Sequence, residues 1–427
     1  MEPSHSSRSA SSEASEASAF EPDADPPQNG QPAEPRQEAT DRPWLHAFLF
    51  VLTLASTVYA GGQWVNRVLF YEAQGETVSL LFTTVPMGWL VDGLRYAIPL
   101  LGFLTVHEFG HYFAARYHRV NTSLPYYIPF FPQINLIGTF GAVISIREAI
   151  PSKRKLFDIG AAGPLAGFVV AMGALLYGFA TLPPPEYLLD LTGHEALKEH
   201  IRQYGTFPAT PPEPASGALV IVVGQTPLFW LLSQFFANVP PMYEIYHYPV
   251  LFAGWLGLFF TALNLLPVGQ LDGGHILYAL LGPTWHRRLA QAFVLLLLVL
   301  GGMGFVKEAQ TVVEGGGLLW RGGAWLLLAA IFYGYLTRIF RTSYPARFLA
   351  LAGLMAGVGT TALIGSSLLQ YGYSGWLIWT LLIVFLVRVE HPPVMRSEEL
   401  TPTRRVLGYV AMAIFLLCFS IQPLSVL

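Results

Sequence analysis

Cysteine is almost absent from this sequence: Cys418 is the only one in 427 residues, so neither a disulfide framework nor a cysteine-ligated metal site is available. Charge is scarce as well. Asp, Glu, Lys and Arg make up 12% of the chain against 53% hydrophobic residues, and the mean hydropathy is +0.46. That balance belongs to a chain that crosses a bilayer repeatedly, not to a soluble domain. Long basic runs are missing too. Lys and Arg are scattered through short loops, so nucleic acid has no support as a partner and the lipid bilayer takes its place.

What is present is a succession of apolar stretches. Residues 1–42 are rich in Ser, Glu, Pro and Ala with almost no aliphatics, which predicts a disordered tail. The tail lacks a basic start followed by an apolar core, and its acidic content weighs against an organelle transit peptide. Nine spans are expected after it: Trp44 to Gly62, Leu94 to His118, Phe157 to Leu182, Pro249 to Leu266, Leu289 to Phe305, Ala324 to Thr337, Phe348 to Leu369, Trp376 to Val387 and Val406 to Ser420. The expected fold class is therefore an all-α polytopic membrane protein. Residues 43–93 hold the first span and an interfacial piece, Leu80 to Leu90, that is too short to cross. Residues 289–427 supply the additional C-terminal helices.

Two connections stand apart. Leu124 to Ile146 is rich in aromatic and β-branched residues but broken by Pro125, Pro129, Pro132, Gly138 and Gly141, which excludes a regular helix and predicts short strands. Non-helical backbone at membrane depth is tolerated only where protein or a wet cavity surrounds it, so 124–146 reads as a re-entrant hairpin. Its free edge offers a place for an extended peptide. The loop 183–247 is polar and proline-rich, with no repeat and no clear domain. The loops expected on the side of the tail carry fifteen Lys and Arg, among them Arg116, Arg119, Lys153, Arg154 and Lys155, against six on the other side. This bias predicts a cytoplasmic N-terminus and an extracytoplasmic loop 183–247. A bacterial inner membrane is the expected location, with a thylakoid left open.

The second span contains His107-Glu108-Phe109-Gly110-His111. An H-E-x-x-H on a helix sets two imidazoles at i and i+4 on one face, where both reach a single zinc ion, with the intervening carboxylate beside the metal. A chance match is the bland alternative. Against it, one charged group in mid-membrane costs on the order of 3 kcal/mol, and three ionisable groups within five residues call for one shared reason. A bound cation supplies that reason. Zinc lowers the pKa of a bound water to about 7, and a neighbouring carboxylate then serves as general base for hydrolysis.

Catalytic zinc sites usually have three protein ligands and an open position, so a third ligand is required. Asp272 is the only carboxylate between Glu244 and Lys307, and it follows the Pro267 to Gly269 break that ends the fourth span. Spacing alone leaves two readings level: Asp272 as ligand, or Asp272 as the start of a turn before Gly273 and Gly274. His275 reads as a packing or supporting residue. Asp158 reads as the cap of the third span, and Gly163 to Gly167 as a small-residue helix contact. His118, His247 and His286 read as solvated boundary residues, and His391 has no evident role.

His107 to His111, together with Asn264-Leu265-Leu266-Pro267 and Leu271-Asp272-Gly273, resembles the site-2 protease family of intramembrane zinc metalloproteases. Gly138-Thr139-Phe140-Gly141-Ala142 and Asp158 to Pro164 look like its chloroplast, cyanobacterial and bacterial branch. The resemblance covers about Leu94 to Leu281. It implies a three-helix catalytic core within 94–288, one zinc ion per chain on His107, His111 and Asp272, and Glu108 as general base. It further implies that Asn264 positions the peptide or stabilises the oxyanion, with Gly138, Thr139, Phe140 and Gly141 on the substrate-facing hairpin. The implied substrates are membrane-anchored proteins cut within or near a spanning helix. Some members carry a PDZ domain, for which the loop 183–247 is too short and too proline-broken. A metal-ion or proton-coupled transporter built on the same His, Glu and Asp cluster is the competing class. The sequence leaves the oligomeric state open.

Overall fold

The computed structural model describes residues 41–66, 87–131, 137–191, 193–212, 220–313, 318–364, 366–387, 389, 391–392 and 394–426. The tail, save its last two residues, and the interfacial piece Leu80 to Leu90, save its last four, lie outside these. Within them the chain is helical, with two small two-stranded sheets. Six helices are long and apolar enough to cross a membrane.

Helix α1 spans Pro43–Asn66 and begins on a proline, whose missing N–H costs nothing in a first turn. Several of its hydroxyls bond locally or to the hairpin. Thr53 and Thr57 donate to carbonyls four residues back, while Ser56 donates to the Gly138 carbonyl at 2.7 Å. Helix α2, Met87–Tyr117, carries the H-E-x-x-H and starts seven residues before the expected Leu94. Strands β1, Tyr126–Pro129, and β2, Thr139–Val143, form the antiparallel hairpin expected over 124–146; residues 132–136 within it are not described. Helix α3, Lys153–Ala180, is the third span.

The loop 183–247 is more ordered than its composition suggests. It holds a 3-10 turn, Pro185–Asp190, then α4, Glu195–Tyr204, β3, Ile221–Val223, and α5, Pro227–Ser233. Two helices of the fourth and fifth spans follow, α6, Pro249–Asn264, and α7, Asp272–Val313, which breaks at Gly282 where φ is 78°. The C-terminal part contains α8, Leu318–Ile339, α9, Tyr344–Ile364, the short α10, Ser366–Leu369, α11, Gly375–Leu382 with a π turn to Val387, and α12, Pro402–Cys418. Strand β4, Leu424–Val426, pairs with β3, a sheet that no local sequence pattern announces.

Three of the nine expected spans, α6, α11 and α12, are shorter than a bilayer-crossing helix. At about 1.5 Å per residue, 16 residues reach roughly 24 Å against a hydrocarbon core near 30 Å. For α6 the shortness has a packing explanation. It sits against both α2 and α3, eleven of its residues are buried, and it does not need to meet lipid along its length.

Small residues set the spacing among α2, α3 and α6. A Cβ added at Gly110 would press on the Ala162 carbonyl of α3, and one added at Gly257 would press on Ala171. Close backbone approach is the main source of helix association where lipid removes the hydrophobic driving force.

Asp158 does not cap α3. Ser152 does, accepting from the Lys155 N–H, and Asp158 instead takes a two-pronged contact from Arg404 of α12, Nε to Oδ1 and Nη2 to Oδ2 each at 2.7 Å. His118 Nε2 completes the set at 2.8 Å, so this histidine is paired, not simply solvated. The expected difference arises because Asp158 lies in the second turn, beyond reach of the free N–H groups at the helix start. Replacing Arg404 with Ala removes charge-assisted bonds worth about 1.5–3 kcal/mol, and a lowered thermal midpoint is the expected readout. An unchanged midpoint would show that the C-terminal helix is held to the core by other means.

Candidate metal centre

His107 and His111 lie one turn apart on the buried face of α2, with Nε2 atoms 3.1 Å from each other. Asp272 is the first residue of α7, and its Oδ2 stands 3.5 Å from His107 Nε2 and 3.2 Å from His111 Nε2. Thus a carboxylate more than 160 positions further along the chain meets the two imidazoles at one point. The two sequence readings of Asp272 turn out to be compatible, since it both opens a helix and faces the imidazoles.

The turn between α6 and α7 explains why that carboxylate arrives there. Gly269 takes a positive φ of 54°, and its N–H bonds the Val389 carbonyl. A Cβ on Gly273 would overlap the Leu265 carbonyl, and one on Gly274 would overlap the Gly269 carbonyl. Without side chains at these positions the chain folds back tightly on the end of α6. Asn264 is the last residue of that helix and is half-buried.

Helix α3 shapes the other wall. His111 Nδ1 donates to the Ile159 carbonyl at 2.7 Å, which fixes the tautomer and leaves the Nε2 lone pair toward Asp272. Gly163 lies directly against that Nε2, where a Cβ would overlap it, and Gly167 lies beside the His107 ring. The small-residue pattern read as a helix contact therefore also makes room for both imidazoles.

Glu108 is buried beside them and accepts a hydrogen bond from the backbone N–H of Ile144, just past β2. The hairpin is held against both neighbouring helices. His46 of α1 bonds the Pro125 carbonyl at 2.9 Å, and Tyr127 meets Thr105 of α2 through their hydroxyls at 2.7 Å. Gly138 and Gly141 both have positive φ, 82° and 98°, and Thr139 spans the turn by bonding the Ile128 carbonyl and the Gly141 N–H. Phe140 is exposed and packs its ring on Phe130 at 4.3 Å.

Besides His118, three histidines depart from expectation. His286 and His247 are buried, not solvated. His391, which had no evident role, receives a hydrogen bond from His275 Nδ1 at 2.8 Å and stacks on Tyr278. Burial holds the His391 imidazole below the usual histidine range, so near neutral pH its Nε2 is free to accept. His275 thereby connects the start of α7 to the segment before α12.

Helical architecture and a buried constellation of two imidazoles and carboxylates define a polytopic membrane protein with a metal-binding type of centre. Residues 95–306 match the model of peptidase family M50, and this part of the chain belongs to that family, the site-2 proteases. A protein of Oryza sativa subsp. japonica named probable zinc metalloprotease EGY1, chloroplastic, is 31% identical over 191 residues, 45% of this chain and 28% of the relative. Its Arabidopsis thaliana namesake is 30% identical over 241 residues, 55% of this chain and 39% of the relative. A probable zinc metalloprotease EGY2, chloroplastic, of Oryza sativa subsp. indica is 30% identical over 219 residues, 51% and 35% respectively. The matches span less than two-fifths of the length of these relatives. No solved structure matches the chain.

Proposed function

We propose that this protein is a zinc-dependent intramembrane endopeptidase whose substrates are membrane-anchored proteins. The observation that carries the reading is the convergence of His107, His111 and Asp272 from two helices, with Glu108 alongside. Two nitrogens and one carboxylate oxygen suit zinc, and the His111 tautomer held by Ile159 offers the lone pair that a metal needs. Zinc held there would supply Lewis acidity, lowering the pKa of water to about 7 and polarising the scissile carbonyl.

The remaining steps belong to the chain. Glu108 takes a proton from the attacking water as oxygen bonds to the carbonyl carbon, and returns a proton to the nitrogen as the C–N bond breaks. The Ile144 N–H holds Glu108 in place, so the hairpin positions the base as well as flanking it. A helical substrate shields its peptide bonds and must be unwound before attack. The outer edge of the β1–β2 hairpin, with Gly138 just before β2 and Thr139, Phe140 and Gly141 opening it, supports binding the unwound segment as an added strand. Asn264, at the end of α6, is the proposed partner for the substrate backbone. The Lys and Arg bias supports an N-terminus on the cytoplasmic side; the relatives are named chloroplastic, and that location is theirs.

Asp272→Asn tests the reading. It keeps the shape of the side chain but weakens a charged ligand. Loss of the zinc bound at this centre is expected, together with a fall in cleavage of a membrane-anchored reporter of more than about 100-fold, given that supporting partners alone are worth 10- to 100-fold. Normal zinc content with normal cleavage would remove Asp272 from the centre.

A further inference from the structure

A second group of histidines and a carboxylate lies at the opposite end of α6 from Asn264. His194 precedes the first turn of α4, and Glu244 and His247 bracket the 3-10 turn that leads into α6. The length of α6, about 24 Å at 1.5 Å per residue, separates the two groups along that helix. The three side chains are almost wholly enclosed, with 4%, 3% and 0% exposure for His194, Glu244 and His247. A carboxylate buried to this depth requires a counter-charge or a metal.

The two rings are set as in the first centre, while the carboxylate differs: Glu244 faces Nδ1 of His194 and Nε2 of His247 through separate oxygens. The ring centroids of His194 and His247 are 4.8 Å apart at 74°, the values also found for His107 and His111. Their Nε2 atoms are 3.0 Å apart, and the Glu244 oxygens lie 3.2 Å from His194 Nδ1 and 3.4 Å from His247 Nε2. The tautomer is fixed in the same way. His247 Nδ1 donates to the Val65 carbonyl of α1 at 2.8 Å, so a neutral His247 presents its Nε2 lone pair to the cluster. That lone pair faces both a second imidazole nitrogen and a carboxylate oxygen, a donor set that a cation among them would draw together.

The backbone contributes as well. His194 holds a φ of 62°, in the left-handed region that residues with a Cβ seldom adopt, directly after Gly193 at 79°. Such a conformation persists where surrounding structure over-determines it, here by directing an imidazole inward. Mixed nitrogen and carboxylate donors favour zinc. Magnesium and calcium prefer oxygen throughout, and cuprous ions prefer sulfur.

We propose that His194, Glu244 and His247 bind a second divalent transition-metal ion, zinc by its donor set, which fastens the 183–247 segment to the ends of α1 and α6. The proposal does not depend on the catalytic reading, since the two groups share no residue.

The test is metal content of the purified full chain in detergent, loaded with zinc, dialysed and analysed by mass spectrometry. Two ions are expected in the wild type, one in His247→Ala, one in Glu244→Gln, one in His111→Ala, and none in the His111→Ala, His247→Ala double variant. A wild type with one ion that His111→Ala loses and His247→Ala keeps overturns the second site and leaves the catalytic reading standing. One ion lost only in His247→Ala does the reverse, and a wild type without zinc overturns both. Cobalt titration of the wild type covers variants that fail to fold. Saturation at two equivalents of cobalt supports the proposal, and a smaller number that is unchanged in Glu244→Gln overturns it.

Discussion

Glu108→Gln is expected to lower peptide-bond cleavage by about 10²- to 10⁴-fold, the usual contribution of a positioned general base, while leaving zinc in place. The amide keeps an oxygen that can accept from the Ile144 N–H, so the side chain stays where it is. What it loses is the ability to take a proton. Because Glu108 lies beside the three proposed ligands and is not one of them, the metal content should match the wild type. Cleavage of a membrane-anchored reporter in reconstituted vesicles, with zinc measured on the same sample, reads both quantities. Full turnover by this variant would mean that another group removes the proton, and loss of zinc would mean that Glu108 is itself a ligand.

Gly163→Ala is expected to abolish cleavage without touching any proposed ligand. Alanine is a better helix former than glycine by about 1 kcal/mol, so α3 as a helix should gain. The site should not. A Cβ at 163 overlaps His111 Nε2, and the Ile159 carbonyl on the preceding turn of the same helix holds the other side of that ring. The imidazole has to turn away from Asp272 or α3 has to retreat from α2, and either outcome takes a proposed ligand out of reach. A loss of more than about 100-fold is expected, the upper range for disturbing a supporting partner. Gly173→Ala is the control: it lies in the same helix, and nothing stands within 4 Å of its added Cβ. Equal activity of the two variants would show that α3 does not shape the centre.

The centre was legible where the chemistry is local. Two imidazoles at i and i+4 on a helix need no tertiary information, and Glu108 comes with them. Asp272 was half legible, because spacing could not separate a ligand from a turn residue, and the tight glycine fold between α6 and α7 sets it at a helix start and facing the imidazoles. The Ile159 carbonyl and the Ile144 N–H could not be read at all. Backbone groups carry no residue signature, and only packing selects which of them faces a side chain. His391 and Arg404 were missed for a related reason, since their partners His275 and Asp158 lie over a hundred residues away.

In the fold, apolar runs located the helices but not the function of their lengths. A 16-residue helix and a spanning one look alike in composition, and α6 is short because it is enclosed by α2 and α3. The 183–247 segment is the larger omission. Glu244 and His247 are three apart, a spacing that places both side chains on one side of a 3-10 turn, and that was the one available signal. Its meaning required His194, fifty residues earlier.

The most direct test is a crystal of the full chain measured at the zinc absorption edge. The account predicts an anomalous peak about 2.0–2.2 Å from His107 Nε2, His111 Nε2 and an Asp272 oxygen, with Glu108 outside that shell. A zinc-loaded crystal with no peak among these three residues, or with the Asp272 carboxylate turned away from the imidazoles, would contradict it.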